Sequence, residues 1–368
     1  MSSSRDSTGV RIAVSNVANR NVGQVCSLAD APDMRLTSPA SGEWTLSRVE
    51  DLHRMDDGRL VVLNRGSFEL LMFGRDGELL RSIGRLGEGP GEFMDPIEID
   101  LARGDSIVVW DWELGRLTLF GPYGSYGRSV MLQPPVINPT GRVGVLGQDG
   151  IVIGNQHVPS VGKRLTPHFL QVLRYGWRGM LVDTLVILPY GERGMVNPEE
   201  SRLMAGPLFG SRGVFATQGD LLYTSDADSP EVRVYRGRQL KSIVRWEPGD
   251  LSVRKGDVEA YTAARLAGVG EDMAEILRKS FEAFPANDAF PAVMEIQIDA
   301  QGRMWIRTYD RPGSTVTEWL GFEETGAFIC SLSVPRHFRL KHFHTAVVVG
   351  VHSDELDVES IEVRSFGF

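Results

Sequence analysis

The sequence predicts an all-β fold assembled from one repeated four-stranded unit. Two observations carry this. A polar turn, mostly rich in Gly and Asp, comes back six times along 368 residues, and each copy leads into a short β-branched or aromatic run. Strand-like segments of similar length flank every copy. Gly beside Asp supplies the positive φ of a tight hairpin, and the residues after it suit a half- or fully buried strand.

The first copy is Met55-Asp56-Asp57-Gly58-Arg59 followed by Leu60-Val61-Val62-Leu63. The second is Arg103-Gly104-Asp105 followed by Ser106 to Trp110, and the third is Gln148-Asp149-Gly150 followed by Ile151 to Ile153. The fourth is Gln218-Gly219-Asp220 with Leu221 to Tyr223, and the fifth runs from Asp299 to Arg303 with Met304 to Ile306. The sixth lacks the glycine and reads Phe343-His344-Thr345 with Ala346 to Val349. Val49 to Leu52, Ile97 to Leu101, Val214 to Thr217 and Met294 to Ile298 supply preceding strands. Phe68 to Phe73, the turn Gly74-Arg75-Asp76-Gly77, and Glu78 to Ile83 supply the following pair in the first copy; Val232 to Tyr235 and Gln239 to Trp246 do so in the fourth.

Four antiparallel strands joined by short turns make a propeller blade, and six copies make a six-bladed β-propeller. The last copy has only Phe338 to His342, Ala346 to His352 and Ile361 to Phe366. Gly9 to Val14 is the candidate for its missing outer strand, which would close the ring and remove two free edges. The whole chain, 1–368, is then a single domain. Two long gaps interrupt the repeat. Tyr190 to Leu208 is a Gly/Pro-rich insertion, and within Ser252 to Phe284 apolar residues recur near helical spacing. Gly268 and Gly270 divide the second insertion into two short helices, with Asp257 a candidate cap and Glu271 and Asp272 in a first turn.

The net charge of −9 argues against a nucleic-acid or anionic-membrane partner. No apolar run of about 18 residues suggests a membrane span. Met1 to Asp6 is polar and lacks the apolar core of a signal peptide, so the chain is either cytoplasmic or shown after removal of a signal. Cys26 and Cys330 are too few for a cysteine-based zinc site; whether they are bridged stays open, and Asn138 is followed by Pro139, so no glycosylation sequon marks the compartment.

Gly84-Arg85-Leu86-Gly87-Glu88-Gly89-Pro90-Gly91-Glu92-Phe93 resembles the blade-linking loop of NHL-type propellers. With Asp257 to Tyr261 in the helical insertion and the ending Val351 to Glu359, nearly all of the chain after about Val10 resembles the bacterial "6-bladed beta-propeller" proteins. The resemblance implies the fold and, because many members are exported or lipid-anchored, a periplasmic or cell-surface location. It implies no particular activity.

Gly-x-Ser-x-Gly, His-Glu-x-x-His and Cys-x-x-Cys are all missing from the sequence. The glycines at 87, 89 and 91 precede neither Gly-Lys-Ser/Thr nor a helix, so they read as linker geometry rather than a phosphate loop. His342 and His344, with His337 nearby, fall on one face of a strand but lack a third ligand close in sequence, and His352 is the neighbouring-strand candidate. No metal and no cofactor is predicted. Trp110, Trp112, Trp246, Trp305 and Trp319 occupy strand positions and read as packing between blades.

Glu50, Glu98 and Glu295 fall in or beside the inner strands, which line a propeller's channel. Arg48, Arg212 and Arg336, with Glu92 and Asp288, fall in the segments leading into those strands and so near one mouth. The expected function is a binding or protein-interaction module that uses this mouth. Arg48, Glu50, Glu98, Arg212, Glu295 and Arg336 are the expected ligand-binding residues, and a protein or a small polar ligand is the partner. The alternative is a metal-dependent hydrolase of the lactonase or esterase propeller type, with an axial cation on Glu50, Glu98 or Glu295. Asn64, Asn155 and Asn287 are that reading's asparagines near a mouth. It requires these oxygens to converge at about 2.3–2.6 Å from one calcium. Arginine-paired carboxylates count against it.

Overall fold

Leu60–Asn64 is buried along its whole length, which is why Leu60 to Leu63 is an unbroken apolar run rather than an alternating one. Leu60 and Val62 face one neighbouring sheet while Val61 and Leu63 face the other. This two-sided burial repeats through the protein and dictates its architecture. The computed structural model describes residues 2–7, 10–17, 25–159, 162, 164–196 and 203–367.

Antiparallel four-stranded blades follow one another along the chain. The first comprises Val49–Arg54, Leu60–Asn64, Glu69–Phe73 and Leu79–Ile83. The second comprises Pro96–Ala102, Ser106–Asp111, Arg116–Phe120 and Tyr126–Met131. The third runs from Pro139–Leu146 through Gly150–His157 and Thr166–Tyr175 to the long Leu181–Met195, which pairs further with Met204–Ala205. The fourth spans Val214–Gln218, Leu221–Ser225, Glu231–Arg236 and Gln239–Glu247, and the fifth Glu295–Ile298, Met304–Arg307, Val316–Phe322 and Phe328–Pro335. The last has Phe338–His344, Val347–Ser353 and Glu359–Gly367. Each inner strand lies against the inner strand of the next blade, and Phe338–His344 lies against Val49–Arg54. The fold is a β-propeller.

One apolar cluster fills each gap between adjacent blades. Trp305 stacks on Phe343 at 4.4 Å between the fifth and last blades, and Trp319 meets the same ring edge-on at 5.0 Å. Val349, Val351, Ile361 and Val363 of the last blade pack on Leu52, Leu60, Leu71 and Phe73 of the first. Four of the five strand tryptophans are buried as expected; Trp112 is 44% exposed instead, because it lies just past the strand end and faces the channel mouth.

The N-terminal segment corrects the expected pairing. Val10–Asn16 does not complete the last blade: it runs parallel to Gln239–Glu247 on the fourth, with Ser2–Ser7 folded back along it. The small side chains decide this. Ala13 nests where a Cβ on Gly326 would come within 2.5 Å of it, and Ser15 Oγ donates to the Gly326 carbonyl while accepting from Phe328 N–H. Val25–Leu28 then runs parallel to Phe328–Pro335, where Cys26 and Cys330 form a disulfide spanning 304 residues of sequence. Met34–Thr37 is the strand that pairs with Glu359–Gly367, because Leu36 fits the apolar cluster between the last and first blades. The arm therefore crosses the outer edges of three consecutive blades before the first begins.

The loop Gly84 to Phe93 is a structural linker. Phe93 is fully buried between the first and second blades, and the Arg116 guanidinium donates to the carbonyls of Glu88, Gly89 and Glu92. Glu92 accepts from Gly89 N–H and Arg85 within the loop, so it does not face the channel. The insertion forms the two expected helices, α1 (Lys255–Leu266) and α2 (Glu271–Ala283). Arg254, not Asp257, is the N-cap of α1; Asp257 sits three residues later and accepts from the Arg254 backbone N–H. Among the described residues no helix is long and apolar enough to cross a membrane.

Candidate functional site

The inner strands line the channel, and irregularities such as the register shift between Val49 and Asp51 let neighbours such as Glu50 and Asp51 reach it together. On the side where the chain enters these strands the channel opens into a cavity of ≈ 670 Å³. Glu50, Glu98, Glu295 and Arg336 all line it, beside Asp51, Arg65, Arg142, Arg307 and Lys341. Next to it a second cavity of ≈ 570 Å³ is lined by Tyr190 to Arg193, Met204 to Leu208 and Tyr261 of α1, and Arg212 lines this one. Arg48 lines neither: it is an exposed residue in the left-handed region, φ 52°, immediately before the first inner strand. Asp288 is likewise exposed and outside both. A third cavity, ≈ 580 Å³, opens at the opposite face among the Gly/Asp turns and includes His53, His342 and His344.

Arg142 is the one residue, among those described, that lines all three cavities. Its guanidinium lies 3.4 Å from Glu98 and 3.1 Å from Glu295, and its side chain is still 48% accessible because it projects into the open channel. Glu295 is also held by Arg307 at 3.3 Å. Burial works against ionised Glu295, but the two arginines hold its carboxyl below the usual range. Glu98 is different. Burial dominates and pushes its carboxyl to about 8, with Asp51 and Asp100 nearby adding repulsion and Arg142 only partly offsetting it. Glu98 also accepts from Val143 N–H at 3.2 Å.

Below Arg142 the channel narrows around Asp51, Glu98 and Lys341, which line both the upper and lower cavities. Asp51 lies 3.7 Å from His53 and accepts from Ile99 N–H. Burial opposes both charges, yet their attraction holds Asp51 below and His53 above their ordinary values. The His53 ring is 4.7 Å from that of His342, whose Nδ1 accepts from Arg54 N–H. Burial and the neighbouring His53 and His344 push His342 well below the usual histidine range, so it is neutral. His337 instead meets His352 edge-on at 5.1 Å, away from this group.

The carboxylates do not converge as a cation site requires. Glu50 is 3.3 Å from Arg65, Glu98 and Glu295 share Arg142, and no group of three or more His, Cys, Asp or Glu side chains is gathered to hold a metal among the described residues. Asn64, Asn155 and Asn287 line none of the three cavities; Asn64 is spent on the loop before the first blade, binding Ser47 N–H and the Thr45 carbonyl.

Sequence reading missed Arg142, Lys341, Asp51 and Tyr261. Arg142 had a usable signal: it stands in the strand before the third turn, the position equivalent to the strands carrying Glu50, Glu98 and Glu295. Tyr261 had none beyond helical spacing. In the second cavity it packs on Phe209 at 5.3 Å, and Phe209 in turn contacts Tyr309 at 5.8 Å.

A family model described as "6-bladed beta-propeller" matches residues 41–132, the stretch that contains Gly84 to Phe93. No curated protein matches the chain. Among solved structures, a candidate exported protein from Bacteroides fragilis is similar at 9% identity and a TM-score of 0.52, covering 97% of this chain and 99% of its own. A DUF4221-family protein from Bacteroides vulgatus is similar at 10% identity and a TM-score of 0.50, covering 94% and 99%. At these identities the likeness speaks to fold. The chain is a β-propeller, and its residues 41–132 match a family model described as 6-bladed beta-propeller.

Proposed function

We propose that this protein is a ligand-binding propeller of six blades, closed by Met34–Thr37, that recognises a small molecule at the mouth built around Arg142. One observation carries the reading. The two insertions, far apart in sequence, meet at the same mouth: their cavity shares Thr140, Arg142 and Glu295 with the channel cavity. Concave sites of roughly 300–1,000 Å³ with a few convergent polar groups are the usual form of small-ligand pockets. Glu50, Glu98, Glu295, Arg212 and Arg336 would serve in binding through the walls of these two cavities. The arginine-paired carboxylates weigh against the axial-cation hydrolase.

The Cys26–Cys330 bridge supports an oxidising compartment, hence export. Alkylation of the protein from its native cells without prior reduction tests this; two free thiols would refute it.

The test of the binding reading is a metabolite screen by thermal shift, repeated on Arg142→Gln. Ligands that raise the melting temperature of the natural protein should lose that effect in the variant. Hits indifferent to Arg142→Gln would place binding elsewhere and sink the proposal.

A further inference from the structure

The second cavity is richer in aromatic rings than the channel mouth, and Arg142 stands at their boundary. Leu170, Tyr190, Phe209, Phe215, Tyr261 and Tyr309 line the second cavity with aromatic and aliphatic side chains, beside Glu192, Arg193 and Arg212. Phe209 is held there with φ 62°, a conformation that disfavours a bulky side chain. The strain is offset by ring contacts to Tyr261, Tyr309 and Phe290, the last at 4.8 Å. Gly213 makes the opposite wall compact, since a Cβ there would lie 2.6 Å from Leu188 Cβ. The result is a preformed recess of ≈ 570 Å³ that combines aromatic rings with charged side chains, with Arg142 at its edge.

The charge is unbalanced in one direction. Among the described residues, eight Lys and Arg side chains against six Asp and Glu side chains line the two cavities, in a chain whose net charge is −9. The imbalance is sharpest at Arg142. Glu295 is its nearer partner, but Glu295 also faces Arg307. Glu98 is buried enough to favour its neutral acid form. Arg307 also has Asp310 at 3.3 Å, whereas Arg142 has, among the described residues, only Glu98 and the shared Glu295 as ion-pair partners and remains open to the channel. Arg212, on the far side of the recess, lies 5.8 Å from the Tyr190 ring and has no carboxylate partner among the described residues.

We infer that the ligand is a small organic anion, with a carboxylate or phosphate head on Arg142 and a flat apolar body, such as an aromatic ring, in the recess between Tyr190, Phe209 and Tyr261. The inference rests on the proposed binding function and specifies its ligand. A planar oxyanion suits the guanidinium fork, and its charge supplies the counter-ion that Glu98 does not. Glu98, as a neutral acid, can donate a hydrogen bond to the same head group. The aromatic walls favour a ring by offset or edge contacts.

Four probes test this by isothermal titration and saturation-transfer NMR: phenylacetate, phenyl phosphate, acetate and 2-phenylethanol. For ligands this small, dissociation constants on the order of a few millimolar are expected for phenylacetate or phenyl phosphate. Acetate and 2-phenylethanol, each lacking one half, should bind at least about tenfold more weakly. Arg142→Gln should weaken the better anion about tenfold or more, and Tyr261→Ala several-fold. Tyr261 is a partly exposed helix residue, so the second variant keeps the test valid if the first fails to fold. Arg212→Gln gives a third arm. Equal binding of acetate or of 2-phenylethanol, no binding of either aromatic anion, or binding untouched by the variants that fold would overturn the inference. The two levels fail differently: screened ligands that depend on Arg142 but are neutral or wholly polar would overturn this inference and leave the binding site standing. Ligands that ignore Arg142 would remove both.

Discussion

Arg142 lies 3.4 Å from Glu98 on the adjacent blade, yet it reaches closer to Glu295 of the fifth blade, at 3.1 Å. A single guanidinium divided between two carboxylates stabilises neither fully. Glu295 has Arg307 as a second partner, whereas Glu98 has neighbouring Asp51 and Asp100. The more deeply buried carboxyl, 9% exposed, is thus the one that retains its proton.

This makes Glu98 a source of pH-dependent instability. Its folded pKa of about 8 stands above the ordinary 4.5, so the folded state binds more protons than the unfolded state between these values. Stability contributed by the neutral acid is present at low pH and is lost as pH rises towards 8. Glu98→Gln should therefore gain on the natural protein as pH rises from about 5 to about 8, by about 1–3 kcal/mol, and then hold level. Urea unfolding of both proteins across this range is the measurement; parallel stability curves would contradict the assignment.

The disulfide should matter well beyond its two residues. Cys26–Cys330 fastens the N-terminal arm to the fifth blade and closes a loop of 304 residues. Replacing both cysteines by serine should cost about 2–5 kcal/mol. A reducing agent should lower the melting temperature of the natural protein and leave the double variant unchanged.

Asp299 organises the fifth Gly/Asp turn from a fully buried position. It accepts from Gln301 and Arg303 N–H, from Arg303 Nε at 2.6 Å and from Trp305 Nε1 at 3.1 Å. Asp299→Ala leaves the partly buried Arg303 guanidinium and the buried Trp305 indole without this acceptor, at an expected cost of about 2–4 kcal/mol. A denaturation midpoint close to that of the natural protein would show that the turn does not depend on it.

Gly84 has φ 94°, and a Cβ there would lie 2.5 Å from the ring of Phe93, which is fully buried and has no room to move. Gly84→Ala should destabilise by about 2–4 kcal/mol through both backbone strain and overpacking. Gly104→Ala is the control: its φ is also positive, at 73°, but no atom lies within 4 Å of the added carbon, so only the backbone cost remains.

Calcium titration separates the two functional readings. With Glu50 and Glu295 committed to arginines, millimolar calcium should move the melting temperature by less than about 1 °C. A rise of several degrees would return the axial-cation hydrolase to the front.

The repeat was legible because its signals are local. Leu60 to Leu63 must be buried on both faces whatever surrounds it, and the Gly/Asp turns need positive φ wherever they fall, as Gly58 and Gly302 show. Placement on the inner strands sufficed to bring Glu50, Glu98 and Glu295 to one channel, and helical spacing sufficed for α1 and α2.

Sequence alone determined the all-β repeat, its turns and the helical insertion, since each depends on neighbours within a strand, a hairpin or a helix turn. Tertiary structure decided the rest. Val10–Asn16 alternates as an edge strand should, and only the crevice beside Gly326 selects the fourth blade for it over the last. Cys26 meets Cys330, Tyr261 meets Phe209, and Arg142 meets both Glu98 and Glu295 across separations that no local pattern encodes. A ring fold brings residues from every blade to one axis, so the chemistry of its centre is a property of the closed ring.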